Sequence, residues 1–202
     1  VSQHALFLQG QNAGGNVIPP GANLQLGGMS FWPENEALQR RQAVDNMLLI
    51  DGGHPLRKAA NKAMADGLQL ADTLAASAGS DAGLVFPGTS IGNQLKEVAR
   101  LVKVRSAMGP GRQVFFCSMD GFDLHSSQDW THWYLLSQLS QALQAFHNAI
   151  GDANLIQQVT TFTQSEFGRT LQPSGSGSDH AWGSHQIVPV SYTHLTLPTS
   201  DL

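Results

Sequence analysis

From residue 33 onward, apolar positions recur at intervals of three and four, and Pro or Gly punctuates each run. Pro33 opens a predicted helix running to about Ile50, with Ala37, Val44, Met47 and Leu48 on one side; Asp51-Gly52-Gly53 ends it. Pro55 opens a second, through Leu56, Ala60, Ala63, Met64, Leu68 and Leu74. The small, polar stretch 78–83 reads as a loop. A third helix is expected over about Ile91 to Arg105, with Leu95, Val98, Ala99 and Val102 as its apolar face. The longest stripe, Trp133, Leu136, Leu139, Leu143, Phe146 and Ile150, predicts a helix from about Thr131 to Ile150, with Gly151 placed to stop it. Before residue 31, Ala5-Leu6-Phe7-Leu8 and Leu24-Gln25-Leu26 are short apolar runs separated by turn residues, the pattern of a hairpin-like excursion.

Two segments break the helical period. Gln113-Val114-Phe115-Phe116-Cys117-Ser118 is nearly continuous in apolar residues, as expected of a strand covered on both faces. Val159-Thr160-Thr161-Phe162-Thr163 is β-branched and aromatic, a second predicted strand. Strand, helix, strand makes a βαβ unit, whose strands should be parallel neighbours with the Thr131–Ile150 helix packed across them. The expected fold class is therefore α/β, with a mainly parallel sheet flanked by helices.

The 202 residues suit one domain or part of a larger one, and 41% hydrophobic content is enough for a core. A net charge of -4 gives no electrostatic case for nucleic acid or an anionic membrane surface. No run approaches about 18 apolar residues, so no membrane span is predicted. Cys117 is the sole cysteine, which excludes an internal disulfide and leaves the redox compartment open. Oligomeric state is not legible. The distribution of charge says more than its total. Ten of the 11 Lys and Arg lie between Arg40 and Arg112; from Gln113 onward Arg169 stands alone among Asp120, Asp123, Asp129, Asp152, Glu166, Asp179 and five histidines up to His185. Carboxylates and imidazoles without competing cations suit a bound divalent metal; the plainer alternative is a mildly acidic surface with scattered histidines.

In open parallel sheets, ligands bind beyond the carboxyl ends of the strands. That singles out Met119–His125 and Gln164–Arg169. Asp123 and His125, two apart, would share a side of an extended loop and form a zinc or manganese donor pair; otherwise this is a polar turn with Asp123 as a cap. The Gly/Ser-rich stretch from Ser174 delivers Asp179, His180 and His185 on one loop, a better metal signal than either strand-end loop; the alternative is an exposed histidine-containing loop. His132 and His147 fall on the long helix and read as surface or core residues.

Phe86-Pro87-Gly88-Thr89-Ser90-Ile91-Gly92-Asn93-Gln94-Leu95-Lys96, the Gly121-Phe122-Asp123-x-His125 core, Ser165-Glu166-Phe167-Gly168-Arg169-Thr170 and Asp179-His180-x-Trp182-Gly183-x-His185 together resemble the bacterial domain of unknown function 1501 family, of the alkaline phosphatase and sulfatase superfamily. The resemblance covers roughly residues 85–189. It implies part of an alkaline phosphatase-like sandwich, a metal-dependent hydrolase of phosphate or sulfate esters, and a periplasmic or exported location reached by a twin-arginine signal. By the same resemblance, Asp123, His125 and His185 would hold one divalent ion (zinc, manganese or calcium). Asp179 and His180 would hold a second with Glu166 in support. Arg169 would either grip an anionic oxygen of an ester substrate or form a structural salt bridge to Glu166 or an aspartate. The superfamily's Asp-His position is Glu166-Phe167 here, which puts the second metal in doubt and keeps a non-catalytic cell-envelope binding or assembly role as the alternative. The superfamily's nucleophile has no counterpart in these residues, so residues 1–189 are expected to be a partial domain, inactive alone. Residues 190–199 match one reading frame of a widely used sequencing adapter, so 190–202 are expected to be an adapter-derived tail.

Overall fold

A computed structural model describes residues 18–20, 33–76, 83–108 and 111–189. The expected N-terminal hairpin and the adapter-like tail lie outside the described residues. Among those described, α1 (Glu34–Leu48), α2 (Pro55–Ala76), α3 (Ser90–Lys103) and α4 (Gln128–Asp152) match the four predicted helices, and a short 3-10 turn covers Arg105–Met108. Their ends follow local chemistry. Pro33, extended at φ -79° and ψ 149°, precedes α1, whose first turn carries Glu34 and Glu36, charges suited to a helix N-terminus. Asp51 closes the following turn by accepting from the Gly53 N–H through its side chain at 2.8 Å. The Thr89 hydroxyl accepts the Gly92 N–H at 3.1 Å, an N-cap bond for α3.

The chain divides into two compact units, one within Val1–Gly83 and Arg100–Phe116, the other within Leu84–Ala99 and Cys117–Leu202. In the first, α1 and α2 are neighbours, and Ala37, Leu68, Ala71, Leu74, Leu101 and Val102 are buried. Arg41 holds Asp72 with two guanidinium bonds of 2.9 and 2.7 Å, and Asn61 donates to the Leu48 carbonyl at the end of α1. In the second unit, Ile91, Leu95 and Ala99 of α3 and Ala142, Phe146, Ala149 and Ile150 of α4 are buried. The apolar stripe of α4 is thus covered only toward its C-terminal end; Trp133 and Leu136 remain exposed.

The expected parallel sheet is not what forms. Among the described residues the only sheet is two-stranded and antiparallel, β1 (Gly168–Arg169) with β2 (His180–Ala181), pairing Gly168 with Ala181 and Arg169 with His180. Neither 113–118 nor 159–163 belongs to a strand, so the α/β sandwich assignment and the βαβ crossover are both overturned. The physical reason is visible in their hydrogen bonds. Apolar, β-branched runs favour extended backbone, but a strand also needs a neighbour that satisfies its N–H and C=O groups. At Ser118 that neighbour is the side-chain amide of Gln94 on α3, which accepts the backbone N–H at 2.9 Å and donates to the carbonyl at 2.8 Å. At Thr163 it is a single point, the N–H donating to the Ile187 carbonyl at 2.9 Å while the hydroxyl accepts the Ile187 N–H. Val114 and Phe162 are exposed, so neither run is covered on both faces. No helix among the described residues is long and apolar enough to cross a membrane.

Candidate metal centre

Three segments of the second unit converge without the expected parallel sheet to aim them. The first is bent by a γ-turn centred on Asp123, in which the Leu124 N–H donates to the Phe122 carbonyl at 3.0 Å. Gly121 precedes it at φ 97°, a conformation that side chains resist. The second is the β1 segment carrying Phe167 and Arg169. The third is the Gly/Ser loop, which reverses at Gly175 (φ 62°) with paired backbone bonds between Ser174 and Gly177. Ser176 then caps α4, its carbonyl accepting the Gln128 N–H at 2.9 Å and its hydroxyl the Ser127 N–H at 3.0 Å. This seats the loop against the backbone at His125. A Cβ at Gly177 would lie 2.7 Å from the Ser126 nitrogen and closer still to the His125 carbonyl group, so only glycine fits.

The result is a cluster of donors. Asp123, His125 and His180 each offer one atom within 4.8 Å of the other two, and all three side chains are exposed. His180 Nε2 lies 2.7 Å and His125 Nε2 3.0 Å from the same oxygen, Asp123 Oδ1. Asp179 Oδ1 sits 3.2 Å from His125 Nδ1, the other nitrogen of that ring. Phe167 stacks on His180, with ring centroids 4.0 Å apart and planes inclined by 14°, and so limits the imidazole's rotation. Hydrogen bonding to His180, reinforced by electrostatic attraction to His180 and His125, holds the Asp123 carboxyl below its usual range, against a smaller opposing effect of desolvation.

Of the expected donors, the structure brings together Asp123, His125 and His180, with Asp179 in contact through His125. His185 and Glu166 are exposed and lie outside that group. The grouping therefore differs from the one implied by resemblance, which paired Asp123 and His125 with His185. Arg169 is not directed outward. Its side chain is 12% exposed. Nη1 donates to the carbonyls of Leu124 at 2.7 Å and of Ser178, and Nη2 to that of Phe122 at 2.6 Å. Residue-by-residue reading missed Ser176 as a cap, Gly177 as a close approach and Phe167 as a stacking partner. Only the Gly-Ser repetition hinted at the first two.

An exposed triad of one carboxylate and two imidazoles, on loops held by a largely covered arginine and a glycine at Gly177, can hold a divalent ion. The matching family model spans residues 28–188, and the chain belongs to that family, described as protein of unknown function (DUF1501). No curated protein and no solved structure matches it.

Proposed function

We propose that this chain carries the metal-binding part of a hydrolase acting on phosphate or sulfate esters, periplasmic or exported as the family resemblance implies. The observation that supports it is the convergence of Asp123, His125 and His180 on one point. Their chemistry fits an ion. Two neutral imidazoles and a carboxylate are a zinc or manganese set, whereas calcium takes oxygen ligands almost throughout. The donors already stand at separations close to those of ligands sharing one ion at about 2.0–2.2 Å. Asp179, at His125 Nδ1, would orient that ring with Nε2 toward the ion, as carboxylates beside metal-ligating histidines do. The low-titrating Asp123 carboxyl keeps its charge, and so its ligand form, at any neutral pH. A bound ion would polarise the ester and stabilise the charge that develops on it.

A second reading, a non-catalytic envelope protein, is favoured by one feature. At the superfamily's Asp-His position Glu166 lies outside the donor group and Phe167 packs its ring on His180, which leaves one compact donor group among the described residues. Zinc and manganese titrations of the purified chain with metal analysis test the site. Hydrolysis of aryl phosphate and aryl sulfate by the longest natural form of the protein separates the two readings. One tightly bound ion with ester turnover supports the hydrolase, one ion without turnover the envelope role, and no ion in wild type overturns the metal site and with it the hydrolase.

A further inference from the structure

Resting on that metal reading, we propose that Arg169 is the positioning residue of the centre: it locks the loop of Asp123 and His125 to the loop of Asp179 and His180 through their backbone carbonyls. Phe122 and Leu124, whose carbonyls accept from Nη2 and Nη1, flank Asp123 on either side. Ser178, whose carbonyl accepts from Nη1, immediately precedes Asp179 and His180. One planar cation thus joins the two donor-bearing segments, and a residue of β1 does it, while the Arg169 backbone exchanges bonds of 2.7 and 3.1 Å with Gly183 beyond His180. The fork matters. A guanidinium can serve several carbonyls in fixed directions, whereas a lysine ammonium is a point charge on a flexible stem.

Ion pairing with Asp123 is the weaker part of the arrangement, since the closest approach is 4.0 Å while the carbonyl bonds are short. This distinction sets the sign of the test. A cation that acted only through its charge would repel a second cation bound to Asp123, and its removal would tighten metal binding. A cation that assembles the ligands does the opposite. The anion contact expected of Arg169 from the sequence would leave metal affinity unmoved in the absence of substrate.

Zinc affinity measured by chelator competition on the full chain distinguishes these cases. Arg169→Met is expected to weaken zinc binding by about 10- to 100-fold, the range typical of residues that orient metal ligands. Arg169→Lys, which keeps the charge, should fail to restore it. Helix content by circular dichroism should match wild type in both. Equal or tighter zinc binding by Arg169→Met, or full rescue by Arg169→Lys, overturns the proposal. A variant that does not fold is bypassed by NMR of the wild-type arginine. Separately resolved Arg169 Nη proton signals, from a guanidinium held on carbonyls, support the lock; a single averaged signal from a freely rotating group overturns it. That second measurement stands even if wild type binds no zinc, a result that would defeat the metal reading by itself.

Discussion

In α1 and α2 the buried residues are Ala37, Leu68, Ala71 and Leu74, and the polar link between the helices, Arg41 with Asp72, joins side chains that are 28% and 55% exposed. Around Asp123 the roles are exchanged: the ligand side chains are exposed, while a charged guanidinium lies beneath them and bonds to backbone. The helix pair draws on apolar contacts that are individually small and collectively large, so losing its exposed polar link leaves most of them in place. The loops have no such reserve. Their shape depends on Arg169, Gly177 and Ser176 individually, and each failure should be local and large.

The largest expected effect is at the ligands. His180→Ala should lower zinc affinity by more than about 100-fold, exceeding the loss typical for outer residues. His185→Ala should leave it within about 2-fold, because His185 stands outside the donor group. Isothermal titration decides between the two histidines, and the reverse pattern would restore the grouping expected from resemblance.

Next comes the packing of the Gly/Ser loop. Gly177→Ala places a methyl group against the His125–Ser126 peptide, where neighbouring backbone must move. A cost of about 1–3 kcal/mol is expected, with weakened zinc binding. Arg41→Met in the helix pair removes more bonds on paper, to both Asp72 and Asp45, yet should cost under about 1 kcal/mol because the pairs are largely solvated. Urea unfolding of the two variants compares the regions directly. A larger loss for Arg41→Met would erase the contrast.

The same contrast explains what could be read from the sequence. A helix is a local object, so period and punctuation placed α1 to α4 to within a few residues, and the donor types in the Asp123 and Asp179 segments were equally visible. Pairing is not local. Nothing in Val114–Phe116 announces that Gln94 will satisfy Ser118 where a neighbouring strand was expected. For the same reason Arg169 read as an anion contact or a salt bridge to a neighbouring acid, since a lone cation among acids gives no sign that its partners are carbonyls. His180 and His185 are alike in type and close in sequence, and only the turn at Gly175 and the strand pair decide which of them faces Asp123.

The smallest effect expected is a pH dependence at the edge of this network. His132 on α4 lies within 3.4 Å of the Gln128 amide, and Gln128 accepts from the Ser178 hydroxyl at 2.6 Å. Desolvation first, and then the Arg169 charge, lower the His132 pKa below the ordinary 6.5, against an opposing backbone contact with Phe122. Above pH 6.5 the ring is neutral whether the chain is folded or not, and stability does not depend on it. As pH falls through 6.5 the unfolded chain takes up the proton first, so folding stability declines until the lower folded-state value is passed. Asp123 acts in a separate window, its contribution being lost only below the usual carboxylate value of 3.8. Urea midpoints measured from pH 7.5 downward, with chelator present, should therefore fall on the acid side of 6.5 in wild type and fall less in His132→Gln. An unchanged slope in that variant would detach His132 from the arginine network and confine the polar lock to the two loops that Arg169 touches.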